Sequence, residues 1–290
     1  MSLSEYLERH YAQPTAKAYR REIEIYLGNC PQADKALHKD IVHYIGQLRK
    51  RYSNPRNLSR IVSSIKTYYN FLSFTGRRKD NPAKSIRLRD RPSRDIQLQD
   101  LFTKEELESL LNRNERYIPL EYRNKVLMSL LIYQALLPRE LERLTTDDIN
   151  LEQGTVYIKG SPKANARVLP LKPNQIMLIY QYLNEARPTL LKKKEQQEAE
   201  KALLISQRGN PETVESLISH VKRLKYRFKG RRLNMQTIRQ SVIANLLKAG
   251  HDLSLVQAFA GHKYPGTTEK YRESNTEALK TAIQQYHPQR

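Results

Sequence analysis

The sequence predicts a mainly helical protein with one small β-hairpin, folded as two domains. Apolar residues recur at the spacing of helices through most of the 290 residues. One pair of neighbouring segments instead has the composition of two strands joined by a turn. A charged, proline-interrupted segment without an apolar face, residues 87–98, separates an N-terminal part, 1–86, from a C-terminal part, 99–290.

The N-terminal part is predicted to contain four helices, because its apolar residues form four helically spaced groups separated by turn-forming residues. The last helix is the longest, from about residue 57 to 74. Cations decorate its polar side and the turn after it: Arg56, Arg60, Lys66, Arg77 and Arg78. A charge run is usually a solvated helix face. The number of cations, with Tyr68 and Tyr69 nearby, also fits a surface that faces DNA.

The C-terminal part begins with a capping box, Thr103 to Glu106, ahead of a leucine-rich helix. An apolar helix is predicted over residues 121–137, and Pro138 starts a new one. The hairpin strands are 154–159 and 166–171, with Lys163 at the turn between them. Two further helices are predicted over residues 173–186 and 212–228.

The stretch from Gln236 to Tyr271 is predicted to form two helices that end at glycines. The first ends at Gly250 and the second, shorter one ends at Gly261. His262 follows directly, and Tyr271 comes nine residues later. Residues 277–283 are apolar at helical spacing and predict one more helix beyond the tyrosine.

The net charge of +21 indicates a polyanionic partner. Residues 1–95 contain 20 Lys or Arg and 9 Asp or Glu, and residues 96–290 contain 31 and 21. A basic excess in both parts suits a protein that contacts nucleic acid with both. Charge alone does not distinguish DNA from RNA or from an anionic membrane.

The cellular setting is predicted from what the sequence does not contain. Cys30 is the single cysteine, which excludes an intramolecular disulfide. The zinc-binding patterns Cys-x-x-Cys and His-Glu-x-x-His are absent. No signal peptide or apolar run of membrane-spanning length is present either. We therefore expect a cytoplasmic, nucleoid-associated protein that uses no metal or other cofactor.

The C-terminal part supplies each group that metal-free cleavage of a DNA strand requires. The reaction needs a nucleophile for phosphorus, cations for the non-bridging oxygens and an acid for the leaving 5′-oxygen. Tyr271 is the candidate nucleophile, and the planar, permanently charged Arg139 and Arg239 could clamp the phosphate. Lys163 could protonate the leaving oxygen, and His262 could donate to the phosphate or assist proton movement.

In their order and spacing these residues resemble the signature of the tyrosine recombinases, the phage-integrase-type family. Gln236-Thr-Ile-Arg239 is similar to the His-x-x-Arg motif, and Gly261-His262 precedes the tyrosine at the usual distance. The segment from Arg139 resembles the first arginine motif, Arg-x-x-Glu-Leu in outline. Lys163, ahead of Arg-Val-Leu-Pro-Leu, is similar to the lysine hairpin.

Two departures from the family pattern stand out. Gln236 replaces the usual histidine, and glutamine donates a hydrogen bond but does not carry a proton as imidazole does. Leu-Leu-Pro precedes Arg139 where the family has Thr-Gly-Leu. Either change is compatible with a slower or regulated member of the family.

The resemblance implies a two-domain clamp on double-stranded DNA, with a helical core-binding domain and an α+β catalytic domain. Arg87, Arg89 and Arg91 of the linker would follow the DNA backbone. The implied reaction is site-specific recombination through a 3′-phosphotyrosyl intermediate and a Holliday junction. A homotetramer would carry it out at a core site with short inverted repeats, held together by exchange of the C-terminal helix.

The sequence is also compatible with other functions. A DNA-binding protein that has lost catalysis would keep the clamp, and Gln236 is the one hint of it. A type IB topoisomerase shares the chemistry, but the compact N-terminal helices and the segment after Tyr271 favour a recombinase. Among recombinases, a transposon resolvase or a Xer-like protein fits better than a phage integrase, because no long extension precedes the helical unit.

Overall fold

The computed structural model describes residues 1–52, 54–88, 101–112, 115–192, 197–228 and 230–271. The chain divides into two compact units, Met1–Arg94 and Asp95–Arg290, and the division falls within the predicted linker. The described residues are mainly helical, with one small antiparallel sheet. The predicted fold class is therefore confirmed.

Unit 1 contains the four predicted α-helices, with a 3-10 turn at Ala33–Lys35 between the second and third. They are α1 (Leu3–His10), α2 (Gln13–Asn29), α3 (His38–Arg51) and α4 (Pro55–Phe74). Ser2 and Glu5 form a capping box at the start of α1, and Asn54 caps α4. Each cap gives an otherwise unpaired backbone N–H a partner.

A group of tyrosines lies in the core of unit 1. The hydroxyls of Tyr26 and Tyr69 are 2.6 Å apart, and the Tyr69 hydroxyl donates to the carbonyl oxygen of Ala33. The Tyr68 hydroxyl donates to the carboxylate of Asp34. Tyr68 is 5% exposed and Tyr69 is fully buried, so their suggested place on a DNA-facing surface is wrong. Their hydroxyls find partners within unit 1 instead.

Unit 2 consists of helices and one small sheet. Its helices are α5 (Lys104–Ser109), α6 (Ile118–Tyr133), α7 (Pro138–Arg143), α8 (Pro173–Gln181), α9 (Arg187–Leu191), α10 (Val214–Lys222), α11 (Met235–Lys248), α12 (Leu253–Ala260) and α13 (Pro265–Glu269). Its strands are β1 (Ile149–Asn150), β2 (Thr155–Ile158) and β3 (Arg167–Pro170). Its core is continuous from Phe102 in the N-terminal segment to Val242 on α11.

The sheet is antiparallel with the order β1-β2-β3, and Val156 lies opposite Leu169 in the β2–β3 pair. Burial alternates along β3, where Arg167 and Leu169 face inward and Val168 faces solvent. This alternation is the period of two that a half-buried strand requires. It places a charged side chain, Arg167, on the inner face of the hairpin.

Three predicted helices differ from the structure in their bounds. The helix predicted over residues 212–228 is α10, which ends at Lys222, followed by a 3-10 turn at Lys225–Arg227. The helix predicted over residues 121–137 ends at Tyr133, because Ala135 has a φ of 52°, which right-handed helix cannot accommodate. The helix predicted over 173–186 is α8 followed by a π-helical turn, Tyr182–Ala186, that leads into α9. The helix expected beyond Tyr271 lies outside the described residues.

The described residues include no helix that is both long and apolar enough to cross a membrane.

Candidate active site

Arg239 is the most deeply placed cation of the predicted set. It lies on α11, which starts with a capping box from Asn234, and it is 3% exposed. Its guanidinium donates to the carbonyl oxygens of Ala135, at 2.5 Å, and Ala260, at 2.6 Å. Burial lowers the pKa of Arg239, but an arginine stays charged at neutral pH. Two backbone segments therefore fix the position of a buried positive charge.

Tyr271 lies directly after α13, with its ring 9% exposed against Ile243 and Val256. Burial raises the pKa of its hydroxyl, while the charge of Arg239 and a hydrogen bond with the Gln240 side chain act in the opposite direction. The hydroxyl is therefore protonated at neutral pH. A reaction that uses it as a nucleophile needs an acceptor for its proton.

His262 is the candidate for this acceptor, because its ring lies beside the tyrosine. The two rings are stacked, with centroids 6.3 Å apart and an interplanar angle of 11°. Burial and the charges of Arg239 and Arg167 lower the pKa of His262 to about 4, so the imidazole is neutral near pH 7. Its Nδ1 is 2.8 Å from the hydroxyl of buried Thr268, which orients the ring.

The turn before His262 joins the tip of the β2–β3 hairpin. Gly261 ends α12 with a φ of 69°, and its carbonyl oxygen accepts from the N–H of Asn165 at 2.9 Å. Ala164 and His262 form a β-bridge. Lys163 is the next residue on the hairpin, with an exposed side chain. The structure therefore places Lys163 at the edge of the site.

A buried ion pair lies under the same turn. Arg167 on β3 donates to both carboxylate oxygens of Glu140, at 2.8 and 3.1 Å, and both side chains are less than 10% exposed. A Cβ on Gly261 would lie 2.6 Å from Arg167 Nη1. The pair thus links the α7 start, the hairpin and the histidine turn. Its two opposite charges cancel, so it adds little net charge to the site.

Two predicted residues have exposed side chains, unlike the buried Arg239 and Tyr271. Arg139, on α7, is exposed and forms no hydrogen bond or ion pair with a described residue. Gln236 is exposed on the first turn of α11, one turn before Gln240.

Gln236 and Gln240 line a groove of about 470 Å³ on unit 2. The same groove is lined by Lys222, Lys225 and Arg232. Because Gln240 also contacts Tyr271, this basic groove begins beside the candidate nucleophile. Its positive charge suits a polyanionic chain.

The cations predicted to bind DNA in unit 1 fall into two groups. Arg60 is paired with Glu22 at 2.7 Å, and Arg78 is held by Asp80 and the carbonyl oxygen of Asp34. Arg77 lies over the ring of Phe71. The others line one groove of about 510 Å³ with Ser59 and Ser63 of α4: Arg56, Lys66 and Arg87. Arg89 and Arg91 lie outside the described residues.

Several residues that build the site are not among those predicted from the sequence. Arg167 carried a signal, because strand alternation puts it on the same face as Leu169. The sequence carried no such signal for Glu140, Thr268 and Gln240. Their importance depends on the side chains that the fold brings next to them.

The model of the phage integrase family matches residues 100–278, which is more than half of the chain. The chain therefore belongs to the phage integrase family. The predicted family and the predicted activity, site-specific recombination by a tyrosine recombinase, are confirmed.

Relatives and solved structures agree with this assignment. Tyrosine recombinase XerD of Oceanobacillus iheyensis is 29% identical over 291 residues, covering 97% of this chain and 95% of that protein. XerD of Listeria innocua is 26% identical over 289 residues, with the same coverage. The XerH recombinase bound to its difH substrate is 21% identical, with a TM-score of 0.66 over 84% of this chain and 69% of its own.

The Tn1549 transposon integrase in complex with transposon right end DNA is 14% identical, with a TM-score of 0.64. It covers 98% of this chain and 99% of its own. At identities below 25%, these two structures show that the fold is shared.

Proposed function

We propose that this chain cleaves and rejoins DNA strands through a covalent bond between Tyr271 and the 3′-phosphate of the cut strand. The observation that carries the proposal is the convergence of Tyr271, His262 and Arg239 from three different elements of unit 2. They supply a buried cation, a neutral base and a phenol, and Lys163 at the hairpin tip supplies the acid that metal-free phosphoryl transfer also requires.

The chemistry conserves the phosphodiester. Tyr271 Oη forms a bond to phosphorus while the bond from phosphorus to the 5′-oxygen breaks, so one ester replaces another. The phenol loses its proton to neutral His262, and the leaving 5′-oxygen gains one from Lys163 at the hairpin tip. Arg239 stabilises charge on the non-bridging oxygens. Attack by a 5′-hydroxyl on the phosphotyrosyl bond reverses these steps and rejoins a strand.

Gln236 fits a positioning role in this scheme. It lines the basic groove and is exposed, so its amide could donate to a phosphate oxygen. The relatives named XerD span nearly the whole chain, which supports a Xer-like recombinase. Likeness to the Tn1549 integrase makes a transposon function the alternative.

The assembly follows from the same proposal. Two domains would clamp a duplex that carries a short inverted-repeat core site, with residues 1–86 as the core-binding domain and 99–290 as the catalytic domain. Four copies joined through their C-terminal helices would exchange strands in two rounds through a Holliday junction. Double-stranded DNA as substrate accords with a cytoplasmic protein.

The test is trapping of the covalent complex on nicked duplexes made from the flanks of the protein's own gene, in the presence of a chelator. We expect a denaturant-resistant adduct on the DNA 3′ end with the wild type. Tyr271→Phe should give none. Tyr264→Phe is the matched control, because Tyr264 is 74% exposed, lies seven residues earlier and should not matter.

Two results would contradict the proposal. An adduct that persists in Tyr271→Phe would move the nucleophile to another residue. Tight binding to the duplexes without an adduct on any of them would favour a DNA-binding protein that does not cleave.

A further inference from the structure

The backbone before α7 shows how the first arginine motif lies in this chain. In the family, this motif has Thr-Gly-Leu before its arginine. Ala135 has a φ of 52° and is the one non-glycine residue with a positive φ in the described ranges. This conformation favours glycine. Gln134-Ala135-Leu136 therefore occupies the place of Thr-Gly-Leu, two residues earlier than the alignment on Arg139 requires.

The acidic end of the motif gives the same register. The leucine of Arg-x-x-Glu-Leu corresponds to Leu141, which packs in the core and is 1% exposed. The glutamate corresponds to Glu140, which lies at the site. If Arg139 were the arginine of the motif, Glu142 and Arg143 would take the places of its glutamate and leucine. This register does not fit, because both residues are exposed. Glu142 instead accepts from the N–H of Val214, away from the site.

Both observations place the arginine position one residue after Leu136 and three before Glu140. We propose that this position is residue 137, a leucine in this chain, and that Arg139 does not bind the phosphate. Arg239 is then the one guanidinium among the described site residues that no carboxylate neutralises. The proposal rests on the proposed function, because it concerns the phosphate that Tyr271 attacks.

The surroundings of Leu137 agree with this assignment. Its N–H donates to Glu140 Oε2 at 2.8 Å, and it lies two residues after Ala135, whose carbonyl oxygen holds Arg239. The side chain is half-buried and is not part of the hydrophobic core of the described residues. Leu137 thus packs in no core and lies close in sequence to the carbonyl group that holds Arg239. A longer cationic side chain at this position could reach the phosphate that Arg239 binds.

The charges explain the consequence for catalysis. Arg167 is neutralised by Glu140, and His262 is neutral near pH 7, so Arg239 supplies the one full positive charge of the buried cluster. The non-bridging oxygens gain negative charge during cleavage, and a second guanidinium would stabilise it. Cleavage should therefore be slow compared with DNA binding in the wild type, and it should respond to a cation at residue 137.

The experiment measures single-turnover formation of the adduct on a nicked duplex at saturating protein, with DNA affinity measured separately. Four variants are compared with the wild type: Leu137→Arg, Leu137→Met, Arg139→Ala and Arg239→Ala. We expect Leu137→Arg to raise the rate by about tenfold or more and Leu137→Met to leave it unchanged. Arg239→Ala should lower it on the order of 100- to 1,000-fold. Arg139→Ala should lower it less than about threefold, as an exposed residue outside the cluster does.

The proposal is overturned if Arg139→Ala slows the reaction as much as Arg239→Ala while DNA affinity and Tm are unchanged. It is also overturned if Leu137→Arg keeps the wild-type Tm and DNA affinity but cleaves no faster. Should Leu137→Arg lower the Tm, the Arg139→Ala comparison decides. Absence of an adduct from every protein, Leu137→Arg included, would instead contradict Tyr271 as nucleophile, so the two failures are distinguishable.

Discussion

At the scale of single residues, the protonation state of His262 is set by the groups packed around it. Arg239 from α11 and Arg167 from β3 disfavour a charged imidazole, Glu140 from α7 opposes them, and the Tyr271 ring covers one face. The neutral form is the one that accepts the proton of a nucleophile. Burial, Arg239 and Arg167 thus keep the histidine neutral, and Arg239 also serves the phosphate in the proposed reaction.

The lowered pKa of His262 predicts how stability depends on pH. In the unfolded chain its pKa is near the ordinary 6.5, and in the folded protein it is about 4. Between these values the unfolded state binds more protons, so the free energy of unfolding falls as the pH drops from 6.5 towards 4. Above pH 6.5 His262 is neutral in both states, and its contribution to the free energy of unfolding is fully present.

Urea unfolding at about pH 7.5 and about pH 5 measures this dependence. The wild type should lose more stability between the two than His262→Gln, which keeps a hydrogen-bonding group for Thr268 but does not titrate. Equal losses in the two proteins would show that His262 titrates normally in the folded state.

Gly261 is required by its conformation and by its neighbour. A side chain there would be strained at a φ of 69°, and a Cβ would lie 2.6 Å from Arg167 Nη1. We expect Gly261→Ala to lower the free energy of unfolding by about 1–3 kcal/mol. Gly266→Ala is the control, because a Cβ added there would have nothing within 4 Å. A thermal unfolding comparison in which both variants behave alike would contradict this account.

At the scale of elements, a buried ion pair fastens α6 to the segment before α10. Arg123 and Glu212 are paired, and both are less than 4% exposed. We expect Arg123→Met to cost about 3–5 kcal/mol of unfolding free energy, because it leaves the buried carboxylate with the His220 imidazole but without its guanidinium partner. On the same helix, Lys125→Met breaks the partly exposed pair with Glu121 and should cost less than about 1 kcal/mol.

Urea denaturation of the two variants separates these effects. If Arg123→Met unfolds at the same urea concentration as Lys125→Met, burial of this pair does not contribute as described.

Sequence patterns predicted the existence of most elements better than their ends. The glycine stops at Gly250 and Gly261 were predictable, because both have the positive φ that favours glycine. The end of α6 was not, since an alanine at residue 135 gives no local signal of a left-handed backbone. Its conformation accompanies a tertiary hydrogen bond from Arg239, a residue more than a hundred positions away.

At the scale of the whole molecule, the positive charge is spread over both units, and each has a groove lined by cations. Phosphate contacts release counterions, so DNA affinity should fall steeply with salt. We expect Lys66→Ala and Arg87→Ala each to weaken binding and to reduce the slope of log Kobs against log salt by about one.

Fluorescence anisotropy over a salt series on one duplex measures that slope. Arg20→Ala is the control, because Arg20 is paired with Glu24 on the surface of α2. An unchanged slope in both groove variants would remove this groove from the DNA-binding surface.

The family was predictable from the sequence because its signature is local: Gly261, His262 and Tyr271 lie within eleven residues. The register of the first arginine motif was not, because Arg139 and Leu137 are distinguished by backbone conformation and burial. The Glu140–Arg167 pair likewise depends on two elements meeting. Short motifs identify such a site, and the fold decides which neighbouring residue belongs to it.

The most direct measurement is mass spectrometry of the trapped complex after digestion with protease and nuclease. We expect a nucleotide attached through a 3′-phosphate to the peptide that contains Tyr271, with the modification on the phenolic oxygen of the tyrosine. A nucleotide on any other residue, or an attachment through the 5′-phosphate, would contradict it.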